Sequence, residues 1–464
     1  MVVRSMTIIS ALLLSLIPFS TRIATATAEV NSSSATTTKS TSSSSSSFST
    51  RILKSFPSHA TGDCFDIDNV MTVNVGYYQS WSLYRGEDCH PVRPGDIDVA
   101  KNGYTHLAYS FASIDSIYKL EPWKSNYEVE IPRYDEFNVL KGQYVGLKTL
   151  IAIGGWTFND PGEETEFRFS DTAATANRRR IFAASCMDFC RRYNFDGIDL
   201  DWEFPGDLDH GGRVDDLENY PLLVQEIRKA ADSTWKGDDF VITVATPVSK
   251  TRLSEGFDLV ALSRAGVDFF HLMTYNIYTH YQQDGIIGAN TDLPYIFDSV
   301  EYILTYIPSN KIVLGLAGFG RTYELKEPDS CTTDGCPFSG GGTGGCAGSI
   351  GFMPYFTIEE FVTSGNYESF TLDPSSGTAN LLVNSSLFIS YDNPETYELK
   401  REYASRACFR GIMWWASDML KNPIYLEINT PPPYASEANY QVMSKVLIWI
   451  ILICTLLQCT NIIR

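Results

Sequence analysis

Eight short runs of β-branched, aliphatic and aromatic residues recur along the chain: TVNVGYY (72–78), THLAYSFA (105–112), LKTLIAI (147–153), FDGIDLD (195–201), FVITVAT (240–246), FFHLMTY (269–275), KIVLGLA (311–317) and GIMWWA (411–416). Most are apolar nearly throughout instead of alternating, the pattern of strands covered on both faces. Longer segments with helical spacing of apolar positions separate them. The clearest spans residues 172–193 and sets Phe182, Cys186, Phe189 and Tyr193 on one helical face just before the fourth run. Eight strand–helix alternations in one domain predict an α/β fold, a (β/α)8 barrel whose chemistry lies at the C-terminal ends of its strands. The seventh connection, about ninety residues between Ala317 and Gly411, is too long for one helix and holds strand-like pieces. It predicts a small α+β insertion at about residues 319–395, within a folded part spanning 52–430.

Both ends depart from this pattern. Arg4 precedes an apolar run from Met6 to Ile17, and Ala26-Thr27-Ala28 supplies the small residues of a cleavage site, so residues 1–28 read as a secretory signal. The following segment, 29–51, is mostly Ser and Thr; it lacks the apolar surface to fold and reads as an O-glycosylatable linker. In the last segment, 431–464, about twelve apolar residues from Val446 to Leu457 follow a polar stretch. That is short of the roughly twenty a spanning helix needs. Small residues at Ala435, Ser436, Ala438 and Asn439, a polar spacer and a short apolar tail fit a glycolipid-anchor signal, with a tail anchor as the alternative. Export to the outside of the cell, with or without membrane attachment through this tail, is the expectation.

Cysteine usage agrees with export. Without Cys454 and Cys459 of the tail, Cys64, Cys89, Cys186, Cys190, Cys331, Cys336, Cys346 and Cys408 remain, an even set that suggests disulfides of unspecified pairing. Zinc is the rival for Cys331, Cys336 and Cys346, but their Gly-rich spacing matches no standard ligand pattern. Asn384-Ser385-Ser386 is a glycosylation sequon. The net charge of −19 argues against nucleic acid or an anionic membrane surface as partner, because the protein's own field repels phosphates. An aromatic content of 13% leaves Trp and Tyr to spare for grooves in which flat ligands stack.

One strand-like run carries chemistry. In FDGIDLDWEFPGD, residues 195–207, five carboxylates (Asp196, Asp199, Asp201, Glu203, Asp207) stand among core-type residues, although carboxylates are almost never buried without a purpose. Alternation along a strand points Asp199, Asp201 and Glu203 the same way, about 7 Å apart, with Glu203 at the rim. Gly197 allows close packing below them and Pro205 ends the strand. Like charges this close in a low-dielectric site cannot all ionise, so a proton is retained and shared. A carboxylic acid at neutral pH is what a general acid needs to protonate a leaving-group oxygen, as in glycosidic cleavage. Three rival readings are a structural row paired to bases, which the segment itself lacks; a calcium loop from Asp207 to Glu218, whose fifth position has no oxygen ligand; and a divalent metal on Asp199 and Asp201, with no His close in sequence.

Asp196-x-x-Asp199-x-Asp201-x-Glu203 resembles in full the D-x-x-D-x-D-x-E signature of the family 18 glycoside hydrolases, the chitinases and their relatives. The resemblance covers Val73 to about Met419. AIGGW (152–156) is similar to the third-strand S-x-G-G motif, with Ala152 in place of Ser; MTYN (273–276) to the sixth-strand M-x-Y-D motif; and GFGRTYEL (318–325) and MWWASDM (413–419) to the stretches after the seventh and at the eighth strand. CTTDGCPFSGGGTGGC and DHGGRVDDLENY resemble the killer-toxin-like subgroup of fungal chitinases.

This resemblance implies substrate-assisted catalysis. Glu203 protonates the glycosidic oxygen while the sugar's own 2-acetamido oxygen attacks the anomeric carbon; water opens the resulting oxazolinium ion with retention. Asp201 accepts the acetamide N–H, Asp199 shares a proton with Asp201, Asp196 braces the site, and Tyr275 holds the acetamide carbonyl. Trp415 floors the sugar before the scissile bond, Tyr77 and Phe111 line that subsite, and Trp81 and Trp156 are groove tryptophans on either side of it. Gly155, Met273, Asn276 and Arg321 complete the substrate-lining set. Asn276 stands where Asp is common, which removes a negative charge near Glu203 and should let it ionise more readily. The resemblance calls for chitin or chitooligosaccharides as partner, no cofactor, no metal and a monomer. An endo-β-N-acetylglucosaminidase and a chitin-binding lectin without turnover are the competing functions; such lectins typically lose the acid, which is present here.

Overall fold

In strand β1 (Val73–Gln79) the residues Val73, Val75 and Tyr77 face a different layer from Tyr78, and the same alternation runs round a closed sheet. The computed structural model describes residues 42–123, 127–235 and 240–421. The secretory signal, the start of the Ser/Thr segment and the whole apolar tail lie outside these residues. Strands β2 (His106–Ile114), β4 (Lys148–Gly154), β5 (Gly197–Asp201), β6 (Val241–Pro247), β7 (Phe269–Met273), β8 (Ile312–Ala317) and β15 (Gly411–Trp415) follow β1 in parallel order, and β15 pairs back onto β1. This is the expected (β/α)8 barrel, and each strand falls on one of the eight runs. A short strand β3 (Leu120–Pro122) folds antiparallel onto β2. Too short for a periodic signal, it was not among them.

The alternation explains how a strand can be apolar and carry acids. On β5, Ile198 and Leu200 pack outward with Phe182, Cys186 and Phe189 of the helix Ala176–Tyr193, while Asp199 and Asp201 share the inside of the barrel with Leu150, Ala152 and Val313. Gly197 is required at the foot of the strand: a Cβ there would stand 2.1 Å from the carbonyl oxygen of Val241.

At the N-terminal end of the barrel a repeated device ties neighbouring strands. Asp196, just before β5, accepts the backbone N–H of Thr149 on β4 at 2.8 Å and pairs with Lys141 at 3.1 Å. Asp268, just before β7, accepts the N–H of Ile242 on β6 at 2.8 Å and pairs with Arg228 at 2.6 Å. Asp196 thus braces the foot of β5 and not the acid row, because its even register turns it away from the interior.

The insertion after β8 is a six-stranded antiparallel sheet of β9 (Phe319–Leu325), β10 (Phe338–Gly341), β11 (Phe352–Pro354), β12 (Ser369–Asp373), β13 (Thr378–Val383) and β14 (Leu387–Tyr391), with the helix Tyr355–Ser364. Asn384 and Ser385, both at positive φ, make the tight turn between β13 and β14, so the sequon sits exposed at a hairpin tip.

Two expectations need correction. The Ser/Thr segment is not a linker throughout: Ser42–Leu53 is a helix, and Phe48 and Ile52, four residues apart, are buried with Leu293 and Leu399. Those two side chains provide the apolar stripe that the surrounding serines lack. Nor do all eight cysteines pair. Cys64–Cys408, Cys89–Cys346 and Cys331–Cys336 are disulfides, whereas Cys186 and Cys190 are buried free thiols on one helix face. Their four-residue spacing is that of a packed stripe. Cys331, Cys336 and Cys346, the zinc alternative, are all consumed by disulfides.

Candidate active site

Asp199 is fully buried and well supplied with donors. The Thr243 hydroxyl donates to its Oδ1 at 2.5 Å and the Tyr77 hydroxyl to its Oδ2 at 2.8 Å; Tyr77 in turn accepts from His271 Nδ1 at 2.7 Å. Asp201, two residues on, is buried too, but its Oδ1 has no hydrogen-bond partner. Burial first, then the charges of Glu203 and Asp199, hold its carboxyl well above the usual carboxylate range. Glu203, beyond the last ladder position, is partly open, and burial pushes it up to about 7. Among the described residues no Lys or Arg is paired with any of the three. The row therefore retains protons at neutral pH, and its outermost member can give one up.

Tyr275 closes the site from just beyond β7. Burial, followed by the charges of Asp201, Glu203 and Asp199, keeps its phenol protonated far past its ordinary range, so it presents an O–H donor. Gly315 makes room: a Cβ there would meet Leu272 O at 2.3 Å and the Tyr275 ring at 3.0 Å.

An aromatic cluster gathers beside the acids. Trp415, half-buried at the end of β15, stacks on Phe111 at 5.8 Å and lies 5.5 Å from Tyr77 and 6.4 Å from Trp81, ring centre to ring centre. Trp81, itself 43% exposed, stacks on Phe111 at 5.9 Å. Gly155 has φ 88° and its N–H donates to Asp201 O at 2.8 Å; a Cβ there would strike the Phe111 ring at 2.5 Å. Trp156 stands apart from this cluster. It is 52% exposed, stacks on His210 at 4.3 Å and meets Phe204, the residue after Glu203, edge-on. Met273 is a partly buried member of the barrel-lining cluster.

Asn276 and Arg321 form a unit. Arg321 donates from Nε at 2.9 Å and Nη2 at 2.6 Å to Asn276 Oδ1, and burial lowers its guanidinium to about 10, which leaves it charged. The missing charge at Asn276 is therefore felt by Arg321 directly, which tempers the expected influence on Glu203. Asp207, of the calcium alternative, is ion-paired to Arg252.

Asp199, Asp201, Glu203 and Tyr275 thus gather with Tyr77, Phe111, Trp81 and Trp415 at the C-terminal end of the barrel, Trp156 joins through Phe204 and Asn276 pairs with Arg321; Asp196 lies at the other end. Thr243 and His271 were missed, although both lie on the inward register of recognised strands, His271 two residues before Met273. His210 and Asp160 were missed because they lie on loops, where no period assigns a direction.

Comparison with known proteins places these residues in context. The sequence profile of the Glycosyl hydrolases family 18 matches residues 73–419. Chitotriosidase-1 of Mus musculus is 29% identical over 361 residues, which cover 74% of this chain and 72% of that protein. The crystal structure of Ostrinia furnacalis Group IV chitinase in complex with allosamidin superposes with a TM-score of 0.67 at 26% identity, covering 75% of this chain and 92% of that one. A variant of catalytic domain 2 of the Group II chitinase of Ostrinia furnacalis, in complex with a chitin oligosaccharide, gives 0.68 at 26%, covering 77% and 95%.

Proposed function

The chain belongs to the Glycosyl hydrolases family 18 and is a glycoside hydrolase of the chitinase kind; we propose that it cleaves β-1,4-linked N-acetylglucosamine chains internally, with retention, by substrate assistance. The carrying observation is the pair Asp201 and Glu203. One is a buried carboxyl with an unpartnered oxygen, the other a partly open acid raised to about 7.

Glu203 protonates the glycosidic oxygen, since it is protonated near neutral pH and is the member of the row open to the cleft. The 2-acetamido oxygen attacks the anomeric carbon, the bond to the leaving sugar breaks, and an oxazolinium ion forms. Asp201 Oδ1, lacking a partner within the protein, receives the acetamide N–H and offsets the positive charge that develops there. Tyr275 O–H supports the acetamide carbonyl oxygen. Asp199, held by Thr243 and Tyr77, is the fixed end of the row and passes charge changes to Asp201. Water then opens the ring, returning a proton to Glu203, and the two inversions leave the configuration unchanged. Trp415 carries the sugar at the bond to be cut, with Tyr77, Phe111 and Gly155 shaping its pocket. Trp81 extends that side of the groove and Trp156 the leaving-group side.

The finer assignments belong to the same proposal: a killer-toxin-like fungal type, supported by the two quoted loop segments; export, sequon glycosylation and lipid anchoring, supported by the end segments; and a monomer. Among the described residues no helix is long and apolar enough to cross a membrane.

The test is incubation with free chitin oligosaccharides and with a glycoprotein, following products and anomeric configuration. Internal cleavage of the oligosaccharide with β-anomers first supports the proposal; glycan release from the glycoprotein alone, or binding without turnover, would replace it.

A further inference from the structure

We infer that His210 is a positioning residue that acts on the acid and on the leaving-group side of the groove at once, an inference that rests on the chitinase reading. Its ring is nearly buried, with a side-chain exposure of 9%. Nδ1 lies 2.8 Å from the backbone carbonyl oxygen of Glu203 and Nε2 lies 3.0 Å from Asp160 Oδ1. A peptide carbonyl can only accept, so Nδ1–H donates to it, while Nε2 faces the Asp160 carboxyl. The ring is thus tied at both nitrogens, on one side to the main chain of the acid and on the other to the Asp160 carboxyl.

The face of the same ring backs the indole of Trp156 at 4.3 Å and 25°. One indole face is thereby fixed, while the residue stays 52% exposed. The ring itself is clamped by a loop that tolerates little change. His210 N–H and Gly212 N–H both donate to Asp207 O, at 3.1 and 2.7 Å, and Asp207 is ion-paired to Arg252. Gly211, at φ 74°, brings the loop so close to the segment carrying Asp160 that a Cβ would stand 2.0 Å from Glu166 O. Asn159 also donates to Glu166 O at 2.7 Å. Two loops are thus joined around one imidazole whose three interactions reach the acid's main chain, the Trp156 indole and the Asp160 carboxyl.

This dual contact separates into two measurable roles. The hydrogen bond to the Glu203 carbonyl sets where the acid's side chain starts, so it governs protonation of the leaving group. The stack governs how firmly Trp156 holds the leaving sugars. His210→Phe keeps a flat ring under Trp156 and loses the hydrogen bond. His210→Asn keeps an N–H near the position of Nδ1 and loses the stack.

The experiment measures kcat and KM for both variants on chitohexaose and on nitrophenyl chitobioside, whose leaving group departs with little protonation. With His210→Phe, kcat on chitohexaose is expected to fall about tenfold with KM within about twofold, and kcat on the nitrophenyl substrate to change far less. With His210→Asn, KM for chitohexaose is expected to rise about fivefold while kcat stays within about threefold. Equal losses in kcat and KM for both variants on both substrates would reduce His210 to a loop brace, and wild-type values in both would remove it altogether. If either variant fails to fold, Asp160→Asn decides: it leaves the ring in place and replaces the carboxyl facing Nε2 by a neutral amide. An increase in KM for chitohexaose of about threefold is then expected, and no change overturns the inference. Failure of the wild-type enzyme to cleave chitohexaose would instead count against the chitinase reading.

Discussion

At the foot of β5, Asp196 takes a backbone N–H from the neighbouring strand and faces Lys141. At the head of the same strand, Asp201 keeps a buried oxygen without a partner, and Glu203 beyond it is raised to about 7. The side chains are chemically alike and within eight residues of one another. What differs is whether the surroundings supply donors. A carboxylate whose oxygens are occupied ties strands together and has nothing left to offer a ligand. One denied donors and cations keeps its proton, at a cost in stability, and can spend it on a bond.

The sharpest way to break this comparison is Glu203→Gln. Turnover of chitin oligosaccharides is expected to fall by about a thousandfold, within the range for removing a general acid, and full activity would overturn the mechanism. The same variant should be more stable than wild type above neutral pH. The unfolded carboxyl ionises near its ordinary value of 4.5, the folded one near 7. Between these the folded state binds more protons, so wild-type stability falls as pH rises through that window. The gap in melting temperature between variant and wild type should widen from about pH 4.5 to about 7 and then stay constant; a gap independent of pH would contradict the environment assigned to Glu203.

Trp415→Ala tests the platform beside the acids, with kcat/KM expected to fall about a hundredfold on chitohexaose through lost stacking and misplacement of the reacting sugar. A drop smaller than that caused by Trp81→Ala would contradict its place under the reacting sugar. In wild type, kcat should decline on the alkaline side with a midpoint near pH 7, where Glu203 loses its proton. A flat profile to pH 9 would exclude Glu203 as the acid.

At the foot of the strand the sign reverses. Asp196→Asn should lower the melting temperature by roughly 2–4 °C, for about 1 kcal/mol lost in one charge-assisted contact, with kcat within about threefold. A large loss of kcat at unchanged stability would place Asp196 in the chemistry after all. The smallest effect is expected from Asn276→Asp: the added charge disfavours ionisation of Glu203 and moves the alkaline limb upward, by less than about one pH unit because Arg321 lies against the new carboxylate. An unmoved limb would overturn the influence of position 276 on Glu203.

How far the sequence carried this picture varies by element. The barrel strands were legible because runs buried on both faces are apolar throughout. The acid row was legible because β alternation is rigid: choosing the strand chooses the face for Asp199, Asp201 and Glu203. The same rule should have delivered Thr243 and His271, whose register is inward. The helix at Ser42–Leu53 was hidden by its serines, since only Phe48 and Ile52 signal it. Cysteine parity misled because Cys186 and Cys190 serve packing.

The chain's own order of residues determined the fold class, the length of the insertion, the line of carboxylates and their common direction, all consequences of local period and steric alternation. Tertiary structure alone decided which carboxylates meet donors. Lys141, Tyr77, His271 and His210 reach their acids or carbonyls across 55, 122, 72 and 7 positions of chain. No local period encodes such distances. An acid's proton affinity depends on the groups within a few ångströms, and only folding brings those groups there.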